Sequence, residues 1–450
     1  MSLQADTDTI VAVATPPGRG GVCILRISGP RAFELAAGVA GTLPAPRRAK
    51  LRALRDAAGE ILDRGLVLVF PGPDSFTGED VVELQIHGSP VLAALLLRAL
   101  VTRGARAAGP GEFTRRAYAN GRMDLAQAEA VADLIESASA EAAQAAMRSL
   151  EGEFSAQVDG LSEALVGLRV RLEAGMDFPE EGVDDYSDPE LLARVAEVTG
   201  RLEALRQAAA RGRVLRDGLT LVIAGAPNAG KSSLLNRLAG YEAAIVTEVA
   251  GTTRDLVRED ILIDGMPVRV VDTAGLRVAA DRIEAEGIRR AQEAMAQADM
   301  LLLVRDGAAA AAPVPPESLP PGIPVLHVLN KIDLLGFAAG ITSDAAGRTE
   351  LRLSALTGAG VDLLRAFLKE RAGYSGEAGG AYSARRRHLD ALQSAARHLA
   401  AAHELLSSGA TVELAAEELR LAHQALGEIT GAFSTEDMLG RIFSEFCIGK

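Results

Sequence analysis

The segment "GAPNAGKS", residues 225–232, links the apolar run "LTLVIA" to "SLLNRLAG". Its Gly-x-x-x-x-Gly-Lys-Ser spacing suits a chain of phosphates. The glycines let backbone N–H groups close around oxygens, and the start of the following helix adds partial positive charge. Lys231 can reach the β/γ oxygens, and Ser232 is placed to hold Mg2+. A chance match in an ordinary strand-loop-helix is the bland alternative, and further elements in the expected order argue against it. "DTAG", 272–275, follows "PVRVV", so Asp272 falls where a carboxylate polarises the Mg2+ shell. "NKID", 330–333, follows "IPVLHVLN". There Asn330 and Asp333 can read a guanine edge, because a carboxylate accepts from N1–H and the 2-amino group. Adenine lacks both donors, and a buried Asp333 would be left unpaired against it. "SAL", 354–356, follows "TELRL" and fits the remaining base-binding element. "GTTRD", 251–255, lies in the switch-loop slot, with Thr253 as a second Mg2+ ligand. This order predicts a GTPase.

Hydrolysis needs further groups. In Ras-like enzymes a glutamine after the DTAG element orients the attacking water, and here that position is Leu276. An arginine finger is worth about three to five decades in rate, roughly 4–7 kcal/mol. Two residues offer replacements. The side-chain carbonyl of Asn228 can hold a monovalent cation near the β/γ oxygens. Glu284, heading the helix "DRIEAEGIRRAQEAMAQ", can order the water. From the residues alone, a loop-stabilising asparagine and a solvated helix carboxylate are the favoured readings.

These residues must be positioned by strands and helices. From 217 to 374 the pattern alternates strand and helix, as in a parallel α/β sheet. Residues 1–121 read as a strand-rich α+β domain, with "DTIVAV", "GGVCILRIS", "ILDRGLVLVF" and "EDVVELQIHG" as strands and "PVLAALLLRALVTRG" as a helix. Residues 122–216 and 375–450 read as two parts of one helical domain, with the α/β unit inserted between them. Asp124 and Gln127 fit a capping box. Leu125, Ala128, Ala132, Ile135, Ala142 and Ala146 keep helical spacing along one long helix. Ser187 and Asp188 before Pro189 mark another helix start. The bulk numbers agree with a multidomain globular chain of 450 residues, 48% hydrophobic and 24% charged. No apolar run is long enough for a membrane span and no signal peptide is evident, so a cytoplasmic location is expected. A net charge of −13 with pI about 5.1 argues against broad nonspecific nucleic-acid binding. RNA contacts would need local patches such as Arg385–Arg386–Arg387–His388.

Cys23 and Cys447 are the only cysteines, so a disulfide framework is excluded. Cys23 reads as core. Cys447 sits in the terminal "SEFCIGK". "CIGK" is a poor prenylation box, because Gly449 is not aliphatic and Lys450 is a poor last residue. Met438, Leu439, Ile442, Phe443 and Phe446 instead form the apolar face of a short helix that pins the tail.

"NAGKSSLLN", "IVTEVAGTTRD", "DTAGLR" and "FCIGK" together resemble the MnmE (TrmE) family of tRNA-uridine modification GTPases. So do "TPPGRGGVCILRISGP", "FPGPDSFTGEDVVELQIHG", "GPGEFTRRAYANGRMDLAQAEAVADLI" and "LAAEELRLAHQALGEITG", and the likeness spans nearly the whole chain. The resemblance implies an N-terminal folate-binding domain, a helical domain and an inserted Ras-like GTPase domain. It implies homodimers and K+-stimulated GTP hydrolysis with Mg2+. It implies an MnmG-type FAD-dependent partner in a heterotetramer or larger assembly, with FAD on that partner only. Together they would install a carboxymethylaminomethyl or aminomethyl group at C5 of the wobble uridine of certain tRNAs, with 5,10-methylenetetrahydrofolate (or 5-formyltetrahydrofolate as a ligand) in the folate site. Carried onto this sequence, the nucleotide residues are Asn228, Ala229, Gly230, Lys231, Ser232, Ser233, Thr247, Glu248, Val249, Ala250, Gly251, Thr252 and Thr253. Asp272, Thr273, Ala274, Gly275, Asn330, Lys331, Asp333, Ser354, Ala355 and Leu356 complete that set. Asn228, Thr247, Val249 and Thr252 would hold K+; Ser232 and Thr253 would hold Mg2+; Glu284 would orient water. Arg26, Glu83, Arg122 and Lys450 would bind folate, with Cys447 beside them as a catalytic candidate. Arg122 replaces the lysine that family members can carry, keeping charge but not donor geometry. Leu356 stands where a basic residue is frequent. Alternative readings are a regulatory GTPase switch in ribosome assembly and a folate enzyme whose GTPase only regulates it.

Overall fold

A computed structural model describes residues 8–177, 189–240, 258–272, 298–308, 323–343, 348–374, 380–408, 412–433 and 435–449. The chain forms two compact units. One comprises Met1–Ala132, Leu150–Val195 and Arg397–Lys450; the other comprises Asp133–Ser149 and Ala196–Ala396.

In the first unit, alternating apolar residues build a six-stranded sheet. Its strands are β1 (Ile10–Val13), β2 (Gly20–Ser28), β3 (Lys50–Arg55), β4 (Ile61–Phe70), β5 (Val81–Gly88) and β6 (Arg106–Ala107), in the order β3-β4-β5-β2-β1-β6. Val11, Leu25, Ile27, Val67 and Leu84 bury one face against α1 (Ala32–Ala40) and α2 (Pro90–Thr102). Ile10 and Ala12, one residue out of phase, join a separate cluster with Ala108 and Phe113 from α3 (Glu112–Ala119). Arg26 and Glu83 share this second phase. Cys23 lies in the main core, as expected.

The alanine-rich stretch is three helices rather than one: α4 (Leu125–Glu136), α5 (Ala140–Leu150) and α6 (Glu153–Asp177). The expected capping box opens α4, where Asp124 N donates to Gln127 Oε1 and Gln127 N to Asp124 Oδ1. The first break comes from serines that compete for backbone. Ser137 Oγ donates to Asp133 O, and Ser139 Oγ accepts from Ala142 N. The second break is at Gly152, with φ +89°. Ser187 and Asp188 lie outside the described residues; α7 runs Pro189–Asp217.

The second unit holds β7 (Leu219–Gly225), α8 (Lys231–Ala239), β8 (Arg258–Ile263), β9 (Met266–Asp272), β10 (Met300–Asp306), β11 (Val325–Asn330), β12 (Gly340–Ser343), β13 (Thr349–Arg352) and α9 (Val361–Arg371). The sheet order is β12-β13-β11-β10-β7-β9-β8. Its β13, β11, β10, β7 and β9 run parallel, and β12 and β8 add antiparallel edges. Leu221, Ile223, Leu302, Val304, Val328 and Leu351 form its core, and Ala142 and Ala145 of α5 belong to the same cluster.

The chain passes into and out of this sheet at one place. Asp133 Oδ1 accepts from Arg216 Nε at 2.7 Å and Arg385 Nη2 at 3.0 Å, and Oδ2 accepts from Ser383 Oγ at 2.6 Å. A Cβ on Gly212 would lie 1.5 Å from Tyr382 O, so only glycine admits the returning backbone there. The Arg385–His388 patch therefore differs from expectation. Arg385 is spent on Asp133 and His388 is buried, leaving Arg386 as its exposed cation. The last helices are α10 (Arg386–Ser407), α11 (Val412–Thr430) and α12 (Glu436–Ser444). No helix among the described residues is long and apolar enough to cross a membrane.

Candidate functional site

In the second unit β7 delivers the chain into the phosphate-type loop and α8 leaves it. Asn228 takes a left-handed conformation (φ +61°) and is exposed, its side-chain amide without a partner among the described residues. The amide oxygen offers an alkali cation one hard donor, and because the helix start nearby is partially positive, the remaining donors would have to be anionic phosphate oxygens. Lys231 Nζ donates to Gly225 O at 3.0 Å and Ala226 O at 2.9 Å, holding the ammonium within the loop. Ser232 and Ser233 are exposed at the start of α8, and Ala229 is buried.

Asn330 ties the elements together. Its Nδ2 donates to Ala229 O at 2.9 Å, and its Oδ1 accepts from Ala355 N at 2.9 Å. The side chain is 1% exposed. It approaches so closely that a Cβ on Gly230, already at φ +88°, would fall 2.2 Å from Nδ2. The loop, the NKID element and the SAL element are thus fixed by one amide, a role the sequence did not reveal. Arg237 of α8 donates to the carbonyls of Ala355 and Leu356. Ser354 is buried and Leu356 is exposed. Lys331 pairs with Asp306 at 2.7 Å, and this contact, with the Ala308 N–H, holds the Asp306 carboxyl below its ordinary range. Asp333 is exposed rather than buried, and it has no partner among the described residues. The carboxylate would therefore be left unpaired against adenine only where the bound base covers it. The backbone of Asp272 ends β9. Thr247, Glu248, Val249, Ala250, Gly251, Thr252, Thr253, Thr273, Ala274, Gly275 and Glu284 lie outside the described residues, as does Lys450.

In the first unit Arg26 and Glu83 face each other across β2 and β5. Arg26 Nε and Nη2 both donate to Glu83 Oε1, at 3.0 and 2.9 Å, so Oε2 keeps its acceptor capacity. The guanidinium lies 5.3 Å from the Phe76 ring centre and 5.8 Å from that of Phe113. A half-buried cation, two rings and a carboxylate with a free oxygen can hold a flat heterocycle bearing N–H donors. Arg122 is exposed, and its Cγ would sit 3.3 Å from a Cβ on Gly78, in the loop that carries Phe76.

A charged network unseen in the sequence anchors that loop. Arg116, 3% exposed, donates to Asp8 Oδ1 at 2.5 Å, Glu112 Oε1 at 3.1 Å and Glu79 Oε1 at 3.1 Å. Arg106 donates to Asp8 Oδ2 at 2.5 Å and to both oxygens of Glu112. Ser28 Oγ donates to Glu79 Oε2 at 2.6 Å. Burial alone would raise the pKa of Glu112. Hydrogen bonds from Arg106, Gly109 N and Arg116 outweigh it and hold the carboxyl below its ordinary value. Only the 3-4 spacing of Glu112 and Arg116 hinted at this cluster.

Comparison with known proteins bears on both sites at once. Residues 9–122 match the family of the GTP-binding protein TrmE N-terminus, and residues 125–447 match that of the MnmE helical domain. The tRNA modification GTPase MnmE of Sodalis glossinidius is 54% identical over 99% of this chain and 100% of its own length. The chain belongs to the MnmE family. The tRNA modification GTPase MnmE of Stutzerimonas stutzeri is likewise 54% identical, over 98% of this chain and 99% of its own. Among solved structures, the G domain of the T. maritima FeoB iron transporter is 22% identical over 34% of this chain and 98% of that one, with a TM-score of 0.25.

The tail is pinned as the sequence suggested. Leu439, Ile442, Phe443 and Phe446 pack with Leu125, Ala128 and Ala132, and Met438 lies against them. Thr435 Oγ1 caps α12 by accepting from Met438 N at 3.4 Å. Cys447 O accepts from Gly111 N at 3.3 Å, and Ile448 bridges to Pro110. A Cβ on Gly449 (φ +97°) would lie 2.2 Å from Val13 O, so this glycine lets the tail reach the end of β1. Ala12, beside Val13, pairs with Arg26. The Cys447 side chain is exposed.

Proposed function

We propose that the protein is a K+-stimulated GTP hydrolase acting in tRNA modification. With an FAD-dependent partner it would modify C5 of the wobble uridine, using a one-carbon unit from methylenetetrahydrofolate. The observation that carries the reading is the Asn330 clamp joining the phosphate loop to the base-binding elements, within a chain of this family over its full length. Lys231, Ser232 and the loop amides would bind the phosphates, Asp333 the guanine edge, and Thr253 with Ser232 would hold Mg2+. Asn228 would hold K+ with Thr247, Val249 and Thr252, and that ion supplies positive charge where charge develops as the γ-phosphoryl leaves. Water attacks the γ-phosphorus, oriented by Glu284, and the bond to the β–γ bridging oxygen breaks. Arg26, Glu83, Arg122 and Lys450 would bind a reduced folate, with Cys447 at its side. The chain would work as a homodimer in a larger assembly with the partner.

Nucleoside mass spectrometry of tRNA from a deletion strain tests this. Loss of the C5 side chain at wobble uridine, restored by the gene, is expected. An unchanged nucleoside profile with a ribosome-assembly defect would favour the switch reading instead.

A further inference from the structure

Residues 41–55, "GTLPAPRRAKLRALR", carry five cations and no acid, in a chain of net charge −13. They form the approach to β3 and β3 itself, the edge strand of the first unit's sheet. Arg47, Arg48, Lys50 and Arg55 are exposed, and Arg52 is half-buried. Where these side chains are held, carbonyls hold them. Arg47 donates to Asp74 O at 2.7 Å, Arg52 to Thr42 O at 2.7 Å and Arg55 to Gly59 O at 2.8 Å. None has a carboxylate partner, and Arg48 and Lys50 have no partner at all among the described residues. Arg64, paired with Ala53 across the hairpin, adds another exposed cation without one. Most arginines elsewhere in this unit behave differently: Arg26, Arg31, Arg106, Arg116 and Arg169 each sit on an acid.

We propose that this uncompensated basic edge, Arg47, Arg48, Lys50, Arg52 and Arg55, is the surface on which the protein holds the phosphate backbone of tRNA. An acidic chain repels a polyanion, so binding needs a concentrated local patch. The Arg385–His388 run does not supply one, because Asp133 and burial consume it. The β3 edge spans about 17 Å at the rise of an antiparallel strand, room for more than one phosphate. Lys50 and Arg52 share one side of the strand, and the carbonyl contacts fix guanidinium stems without neutralising them. Edge strands also use cations to block pairing with other chains. That role is served by either sign of charge, and this separates the two explanations.

The proposal rests on the tRNA reading above. The test is fluorescence anisotropy of labelled tRNA with the full chain, from about 50 to about 300 mM salt. For the variant Arg48→Ala/Lys50→Ala, the slope of log affinity against log salt is expected to flatten by about 1.4–1.8, at 0.7–0.9 per phosphate contact. Arg48→Glu/Lys50→Glu still guards the edge but should lose at least about tenfold in affinity. Arg48→Lys/Lys50→Arg should bind as wild type, and so should Arg98→Ala/Arg201→Ala, which removes as much charge elsewhere. GTP turnover without tRNA and the oligomeric mass should not change in any of them. Wild-type affinity and slope in the glutamate variant would overturn the proposal while leaving the tRNA reading intact. No tRNA binding by the wild-type chain at low salt would overturn both. If the glutamate variant changes its oligomeric mass, the alanine variant decides by its slope.

Discussion

Replacing Asn330 with alanine separates a scaffold role from a base-reading role. The substitution leaves the Ala229 carbonyl and the Ala355 amide without partners, and both residues are buried. Each buried unsatisfied group costs about 1–3 kcal/mol, so the pair costs about 2–6 kcal/mol. In a unit of this size each kcal/mol lowers Tm by about 2–4 °C, which predicts a fall of about 4–24 °C. The assay is calorimetry of the nucleotide-free chain. The two units need not melt together, so the relevant transition is the one that added GDP raises. Asn330→Asp keeps the acceptor for Ala355 N but sets a carboxylate oxygen against Ala229 O. It should destabilise at least as much, because a buried charge is then unpaired. If the nucleotide-free transition stays in place while GDP affinity falls, Asn330 acts on the base alone and the clamp argument is refuted.

Three other outcomes follow from the geometry. The depressed carboxyls of Asp8 and Glu112 contribute stability above their ordinary pKa values, and that contribution disappears as pH falls through the lower folded values. Glu112→Gln should therefore lower Tm near neutral pH and flatten its fall in acid, read by a melt series; an unchanged pH profile would contradict the network. Gly449→Ala places a Cβ against Val13 O and should displace the tail. Like Cys447→Ser, it should leave GTP turnover intact and abolish tRNA modification, so full modification in either variant would exclude the tail from that chemistry. Replacing K+ with Na+ should slow GTP hydrolysis at least about tenfold if the cation substitutes for an arginine finger. Asn228→Ala should erase that difference, whereas equal rates in the two salts with the wild-type chain would dismiss the cation site.

Local rules made much of this legible. The strand-loop-helix around Lys231, the capping box at Asp124 and the apolar face from Leu439 to Phe446 each depend on residues near one another in sequence. Sequence could not tell that α4, α5 and α6 are separate, because alanine favours helix throughout and the breaks hinge on where three serine and glycine positions find partners. Nor could it separate Arg385, consumed by an acid more than two hundred residues away, from Arg48, which meets none. The Arg106–Glu112–Arg116 network and the span of Asn330 are products of tertiary neighbours. Their residue types are ordinary until the chain has closed on itself.

The backbone contact of Gly212 with Tyr382 makes a single doorway for the α/β sheet. Outgoing and returning chain lie side by side there, riveted through the Asp133 carboxylate. A cassette fastened in this way can be cut out and its two stubs rejoined by a very short linker, without stretching what remains. Its two ends are also tied to each other through one carboxylate, so neither can shift there without disturbing the other.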